Sequence, residues 1–391
     1  MTRISESLRR LLAMDGSKLL RAAGYVRRNF MASCPSLKTS ERIWLISERG
    51  YDAQDNGFAF FKWICSNHPE IHPVYVISPE NPDYKKVNAI GDTVACGSKR
   101  HYELMYQAEA LISTHAFGYT PDMVIYNHLA RVGLFSPPGI SVFLQHGVLD
   151  KKTSWISRET FKPDLFEAST WMEADLIRDY NHQPESVIMR SGQCRYDALY
   201  HSQPKKQILI FPTWREWLKG SSRTQFIESP FYKKWQKVLE NEAWNDLPDG
   251  WTVVFHLHPE LQKYTETFHS KQVSVDTASD IGALIRDSSA VLTDYSSVYF
   301  DFLYRNLPVT FFQFDLDRFQ KEHYGLAASY DDFGKVSHTP EQAVTSLISS
   351  LNDSGKMRGV TAQIFFHQDD HNCERTFEEV FSNPRLKHVG L

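Results

Sequence analysis

Ala290-Val-Leu-Thr293 is followed by Asp294-Tyr-Ser-Ser297, then by Val298-Tyr-Phe-Asp301-Phe-Leu-Tyr304, and, after Arg305-Asn-Leu-Pro308, by Val309-Thr-Phe-Phe312. An apolar strand (Ala290–Thr293), a polar turn, a helix (Ser297–Tyr304) and a second apolar strand (Val309–Phe312) form the repeating unit of a parallel sheet. The same alternation extends outward from it. Ile208–Phe211 and Val253–Leu257 read as strands, with helices at Phe231–Asn241, Ser279–Arg286 and Pro340–Leu351. An earlier series from Glu41 places strands at Ile43–Ser47, Pro73–Ile77, Ala110–Ser113, Val142–Gln145 and Val187–Met189, with helices at Phe58–Ser66 and Trp171–Tyr180. The polar stretch His201–Gln207 joins the two series. The pattern predicts an α/β fold of two doubly wound, Rossmann-like parallel-sheet domains facing across a cleft. Their expected bounds are 41–203 and 204–391, with the last helix packing back on the first domain.

Composition narrows the function. The 391 residues carry 43 Lys plus Arg against 47 Asp plus Glu, a net charge of −4 that argues against a nucleic-acid binder. Five Cys, at 34, 65, 96, 194 and 373, form no CxxC pair, so a disulfide framework or thiolate zinc site is not expected and a reducing compartment fits. No apolar run reaches the ~18 residues of a membrane span, and no signal peptide is seen. Nothing specifies an oligomeric state. Residues 1–40 differ from the rest. Arg3, Arg9, Arg10, Lys18, Arg21, Arg27 and Arg28 alternate with Ile4, Leu8, Leu11, Leu12, Leu19, Ala22, Ala23, Val26 and Phe30 at helical spacing. Such a basic amphipathic helix lies on an anionic membrane surface, or it packs its apolar face on the protein.

Ligands of open α/β sheets bind at the carboxyl ends of strands. Each predicted strand end here carries polar chemistry: His146-Gly147 after Gln145, Thr213-Trp-Arg215 after Phe211, His256-Leu-His258-Pro259, and Thr293-Asp-Tyr-Ser-Ser297. Hydroxyls and unpaired N–H groups at a helix start suit a phosphate, and the same residue types also serve as plain helix caps. His146 reads as a general base or as a hydrogen-bonded structural residue. The same two readings apply to His115. Asp55 and Asn56 read as a helix cap or as acceptor contacts. Trp214 and Trp217 read as packing or as a base-stacking platform.

This ordered set resembles the CDP-glycerol glycerophosphotransferase family, the teichoic-acid and capsule polymerases of GT-B type. It comprises Gln145-His-Gly147, Phe211-Pro-Thr-Trp-Arg215, Leu257-His-Pro259, Thr293-Asp-Tyr-Ser-Ser297-Val-Tyr-Phe-Asp301 and Tyr51-Asp-Ala-Gln-Asp-Asn56, with Pro308-Val-Thr-Phe-Phe312 and Asp315 following. The resemblance runs from about Arg42 to Phe381. It implies transfer of a polyol phosphate from CDP-glycerol or CDP-ribitol to a hydroxyl of a polymer or lipid-linked acceptor, releasing CMP, at the cytoplasmic face of the plasma membrane. Residues 41–203 would take the acceptor and residues 204–391 the nucleotide donor. His146 would be the base and His258 a partner of the donor phosphates. Thr293, Ser296, Ser297, Asp370 and Arg375 would form the phosphate site, with Thr213, Arg215 and Gly147 lining the nucleotide side of the cleft. Asp55, Asn56 and His115 would lie on the acceptor side.

Two departures mark this chain: Val148-Leu-Asp-Lys-Lys152 replaces the family's usual Thr-Pro-Leu-Lys, and His371 replaces a Gly after the C-terminal Asp. The stretch His367-Gln-Asp369-Asp370-His371-Asn-Cys373 has metal-ligand side chains without the spacing of a known site, so no metal or other cofactor is expected. Two other classes compete: a GT-B glycosyltransferase using another nucleotide sugar, and a non-enzymatic polymer-assembly factor that kept the fold.

Overall fold

The computed structural model describes residues 16–33, 41–130, 135–277, 280–351, 361 and 363–386. Ile43–Ser47 (β1) is buried at all five positions, as a strand covered on both faces must be. It pairs with β2 (His72–Val76) and, on its other side, with β4 (Ala110–Ser113). The sheet continues outward to β3 (Asp92–Val94) beyond β2, and to β5 (Ile140–Phe143), β7 (Leu165–Glu167) and β8 (Ile188–Met189) beyond β4. A second sheet has β9 (Lys205–Phe211) between β10 (Thr252–His256) and β12 (Ser288–Thr293). Its outer strands are β11 (Ser274–Asp276), β13 (Val309–Phe312) and β15 (Lys335–Ser337). Every pairing within both sheets is parallel. This is the expected α/β, GT-B-like arrangement of two parallel-sheet bodies.

Several boundaries differ from expectation. β5 ends at Phe143, which leaves Gln145 beyond the sheet. The helix expected from Ser297 begins at Tyr299, so both serines lie in the preceding turn. The helix from Trp171 is α-helical to Asp175 and then widens into a π-helical turn over Leu176–Tyr180.

The two bodies are tied together at several points. Lys151–Lys152 (β6) pairs antiparallel with Gly325–Leu326 (β14). Tyr330 Oη donates to Asp150 Oδ2 at 2.6 Å, and Ala327 N donates to the Asp150 carbonyl at 2.9 Å. The helix Asn372–Phe381 returns to the first sheet, where Phe377 lies 5.2 Å from Trp44 and 5.8 Å from Trp63 between ring centroids. Asp197 caps its N-terminus by accepting from Asn372 N at 2.8 Å and Cys373 N at 2.9 Å, where a carboxylate also meets the positive end of the helix dipole. Gly192, at φ +83, lies so close that a Cβ there would sit 2.0 Å from Asn372 Oδ1. A side chain at 192 is therefore excluded both by conformation and by space.

Of the basic N-terminal segment, residues 1–15 lie outside the described residues; the helix Gly16–Ala32 is described. Its buried face is Tyr25, Asn29 and Ala32, while Val26 and Phe30, from the apolar face read in the sequence, are exposed with Met31 and do not pack on the protein. Tyr25 packs edge-on against Tyr102, and Tyr106 Oη donates to Asn29 Oδ1. These polar-rimmed aromatics anchor the helix and turn the aliphatic side outward. Among the described residues, no helix is long and apolar enough to cross a membrane.

Candidate active site

The turn after β5 is built to hold one histidine. Gln145 adopts φ +56, a left-handed conformation uncommon for a residue with a side chain. Its own amide fixes it there, donating to the Glu167 carbonyl at 3.0 Å and to Glu173 Oε1 at 2.8 Å. On the far side of the turn, Leu149 N donates to the same Oε1 at 2.6 Å, and Ser169 N reaches Oε2 at 2.7 Å. Asn56 Nδ2 donates to the Leu144 and Gln145 carbonyls at 3.3 and 3.0 Å. Glu173 thus clasps both ends of His146-Gly147. Burial pushes its carboxyl up to about 8, against the opposing pull of the Leu149, Ser169 and Gln145 donors. Burial first, and then Glu173, raise the neighbouring Glu167 well above the carboxylate range.

The His146 ring opens on the cleft at one face, and protein crowds it elsewhere. It stacks on His115 with centroids 4.6 Å apart and planes 13° apart. The Thr114 carbonyl lies by the ring and favours a hydrogen on the nitrogen nearest it. A carbonyl only accepts, so that nitrogen carries the hydrogen and the other is left bare, an assignment made from the partner. Burial, and then the charges of Arg195, Arg49 and Lys151, hold the ring down to about 4. Near neutral pH His146 is therefore an unprotonated base. His115 is lowered well below its ordinary value by burial, then by His146 and Arg49.

Across the cleft stands the turn Thr293–Ser297. A Cβ on Gly147 would lie 2.9 Å from Ser297 Oγ, so the absence of a side chain lets the serine turn approach the histidine turn. Ser296 Oγ accepts from Val298 N at 3.4 Å. The hydroxyl of Thr293, expected at the phosphate, instead donates to the Phe211 carbonyl at 2.6 Å and is wholly buried. Arg215 is corrected in the same way. Its guanidinium is fully buried, with Nη2 2.7 Å from Asp294 Oδ2 and Nε 2.9 Å from Asp315 Oδ2. Asp294 Oδ1 also accepts from Thr213 N at 2.7 Å. The Arg215–Asp294–Asp315 triad is thus an internal brace that sets the β9 and β12 loops against each other. Thr213 itself keeps a buried hydroxyl with no hydrogen-bond partner among the described residues.

His258 Nδ1 accepts from Glu260 N at 3.3 Å, which leaves Nε2–H as a donor. His323 Nδ1 accepts from Glu216 N at 3.2 Å and has the same tautomer. Trp214 lies between these two rings, at 6.3 and 4.5 Å. Burial, then His146, His323 and Arg49, hold His258 down to about 4. His146 is among the groups that lower His258, so the two histidines belong to one cleft.

Arg195, which no motif marked, spans the two bodies. Its Nη2 reaches Asp301 Oδ1 at 2.9 Å and its Nη1 reaches Asp55 Oδ1 at 3.2 Å. Asp55 also caps its helix through Asn56 N at 2.8 Å. Asn56 is buried, tethering the histidine turn and accepting from Arg195 N at 3.0 Å. Both residues therefore position the cleft walls. Asp370 and Arg375 are not brought to the serine turn. Gln368 Nε2 bonds the Tyr304 carbonyl at 2.6 Å, which places their segment at the opposite end of the Tyr299–Tyr304 helix. Arg375 is held by Asp369 at 2.7 Å and by Asn372 at 2.9 Å, and Asp370 by His201 at 2.6 Å.

The structure therefore gathers His115, His146, Gly147, Thr213, His258, Ser296 and Ser297 about the cleft, and adds His323, Arg49, Arg195 and Glu173. Among the described residues no three His, Cys, Asp or Glu side chains are grouped to hold a metal. A separate cavity of about 560 Å³ lined by Gln313, Tyr330 and His338 has no Lys or Arg in its wall, so a diphosphate would not find counter-charge there.

Two parallel sheets meeting over a histidine–serine cleft define the GT-B-like class. Residues 28–382 match the CDP-Glycerol:Poly(glycerophosphate) glycerophosphotransferase family, and the chain belongs to it. It is 25% identical to the minor teichoic acid biosynthesis protein GgaB of Bacillus subtilis, over 86% of this chain and 39% of that one. It is 22% identical to the teichoic acid poly(glycerol phosphate) polymerase of Staphylococcus epidermidis, over 72% and 41% respectively. The chain thus spans about two fifths of the length of these relatives. The structure of the wall teichoic acid polymerase TagF superposes with a TM-score of 0.69 at 16% identity, over 99% of this chain and 98% of that one.

Proposed function

We propose that the chain transfers a polyol phosphate, glycerol phosphate first, from a CDP-activated donor to a hydroxyl of a growing surface polymer. The close seating of Gly147 beneath Ser297 carries this reading, because it sets the His146 turn beside a turn of phosphate-binding type. The acceptor hydroxyl gives its proton to the bare nitrogen of His146 as its oxygen bonds the polyol-bearing phosphorus. The bond from that phosphorus to the bridging oxygen breaks, and CMP leaves with the electron pair. Ser296, Ser297, the Thr213 hydroxyl and the Nε2–H groups of His258 and His323 are the donors available to the developing charge. Fixed dipoles of this kind stabilise a phosphoryl transition state by position and electrostatics. Residues 41–203 would hold the acceptor and residues 204–391 the donor, and CDP-ribitol is the second donor.

A ligand that binds only the folded state raises the melting temperature by mass action. CDP-glycerol or CDP-ribitol should therefore stabilise the protein more than UDP-sugars at equal concentration. Selective stabilisation by uridine compounds would overturn the donor assignment in favour of a sugar transferase.

The same reading places the protein at the cytoplasmic face of the plasma membrane, on anionic lipid. Val26, Phe30 and Met31 are exposed beside Arg21, Arg27 and Arg28, an apolar edge with basic flanks. Phe30→Ser with Met31→Ser should reduce co-sedimentation with anionic vesicles. Unchanged sedimentation would contradict docking through this helix.

A further inference from the structure

The cleft has one cation that the chemistry above leaves unused. Arg49 is the second residue after β1, and the buried carboxylate of Glu48 before it organises the loop. Glu48 accepts from Gln54 N at 2.9 Å, Asp55 N at 2.8 Å and Phe58 N at 3.1 Å. With Glu48 turned in, Arg49 is turned out and its side chain is 42% exposed. Its Nε meets Asp52 Oδ2 at 2.8 Å, its Nη2 bonds the same oxygen, and its guanidinium lies over the Tyr51 ring at 5.2 Å. Nη1 has no hydrogen-bond partner among the described residues. The loop after β4 is pressed against this one: a Cβ on Gly118 would lie 2.3 Å from the Glu48 carbonyl. From that loop His115 stacks directly on His146. Arg49 is therefore on the loop beside the histidine wall, near enough for its charge to act on His115, His146 and His258.

Each cation near His146 has a carboxylate partner, and Arg49 differs in exposure: its side chain is 42% exposed, against 20% for Arg195 and 13% for Lys151. Arg195 is held by Asp55 and Asp301, and Lys151 by Asp150 at 2.5 Å. A polymer of polyol phosphates brings its own anion to this wall, since the attacking hydroxyl belongs to a unit whose other end is a phosphodiester. A guanidinium fork suits such a group better than an ammonium does.

We propose that Arg49 is an acceptor-side anion site that binds the phosphodiester next to the attacking hydroxyl. It selects chains already ending in polyol phosphate over neutral sugar ends. The inference rests on the transferase reading above, and two measurements separate the two. The first is equilibrium binding of a di(glycerol phosphate) fragment, without donor, to the wild type and to Arg49→Gln and Arg49→Lys. Arg49→Gln should weaken binding about 10- to 100-fold, the span of a charge-assisted hydrogen bond, with partial retention in Arg49→Lys. Equal affinity in all three proteins would overturn the site. The second is steady-state transfer from CDP-glycerol. Arg49→Gln should raise KM for a phosphate-ended acceptor by a similar factor relative to a neutral-ended one. A rise confined to the donor KM would make Arg49 a donor ligand instead, and equal losses on both acceptors would make it a loop brace. A wild type that binds the fragment yet releases no CMP would refute the transferase reading while leaving the anion site standing.

Discussion

His146→Ala should lower kcat by about 10²- to 10⁴-fold, the range a positioned general base contributes, while donor affinity stays within a few-fold. The ring is open to the cleft on one side, so its loss leaves no large buried void and the melting temperature should move little. The pH profile adds a second signature. With His146 held down to about 4, the base stays unprotonated across neutral pH. The acid limb of kcat/KM for the free enzyme should therefore lie well below the ordinary histidine value of ~6.5, with activity lost as pH falls through it. A bound diphosphate favours the protonated ring and raises its pKa, so the limb of kcat should lie at higher pH than that of kcat/KM. Full turnover in His146→Ala would remove the base assignment. A kcat limb below that of kcat/KM would contradict the proximity of donor phosphates to the ring.

Arg215→Ala should destabilise the protein by about 3–5 kcal/mol, the cost of leaving a buried carboxylate without its partner. Asp294 is wholly buried and Asp315 is partly exposed. Asp294 also holds Thr213 N and Tyr295 N, so the loops after β9 and β12 would lose their common brace. Urea denaturation reads the effect as a lowered midpoint. Arg318→Ala, at an exposed pair with Glu322, serves as the comparison and should shift it several-fold less. Equal shifts would mean that Arg215 is not the internal brace described.

Arg215 also explains what the sequence could and could not convey. An Arg beside Thr213 at a strand end reads the same whether its partner is a phosphate or an internal carboxylate; the deciding partner, Asp315, is 100 positions away. Thr293 is misleading for the same reason, because its hydroxyl is consumed by a carbonyl on the neighbouring strand. The central strands were legible because runs such as Ile43-Trp-Leu-Ile46 are continuously apolar. The outer strands β3, β11 and β15 have three residues each, with a charged or hydroxyl residue at one end or both, too few for periodicity to register. His146, Gly147, His258 and the two serines stood out because ligand chemistry gathers at strand ends. Glu173 and Arg195 carried no such mark. Glu173 works mainly through N–H groups of distant loops, and Arg195 lies between the sheets with partners 140 residues before it and 106 after it. The departure at Val148-Leu149 has a physical counterpart in that turn. Leu149 N anchors to Glu173, and Val148 is buried in the core under the Tyr299 helix.

The most direct measurement follows one phosphorus atom. CDP-glycerol labelled at the phosphorus next to glycerol should, with a phosphate-ended acceptor, deliver its label to the polymer and release unlabelled CMP. Label recovered in CDP would mean cleavage on the glycerol side of that phosphorus, as in sugar transfer, and would contradict the account at its centre.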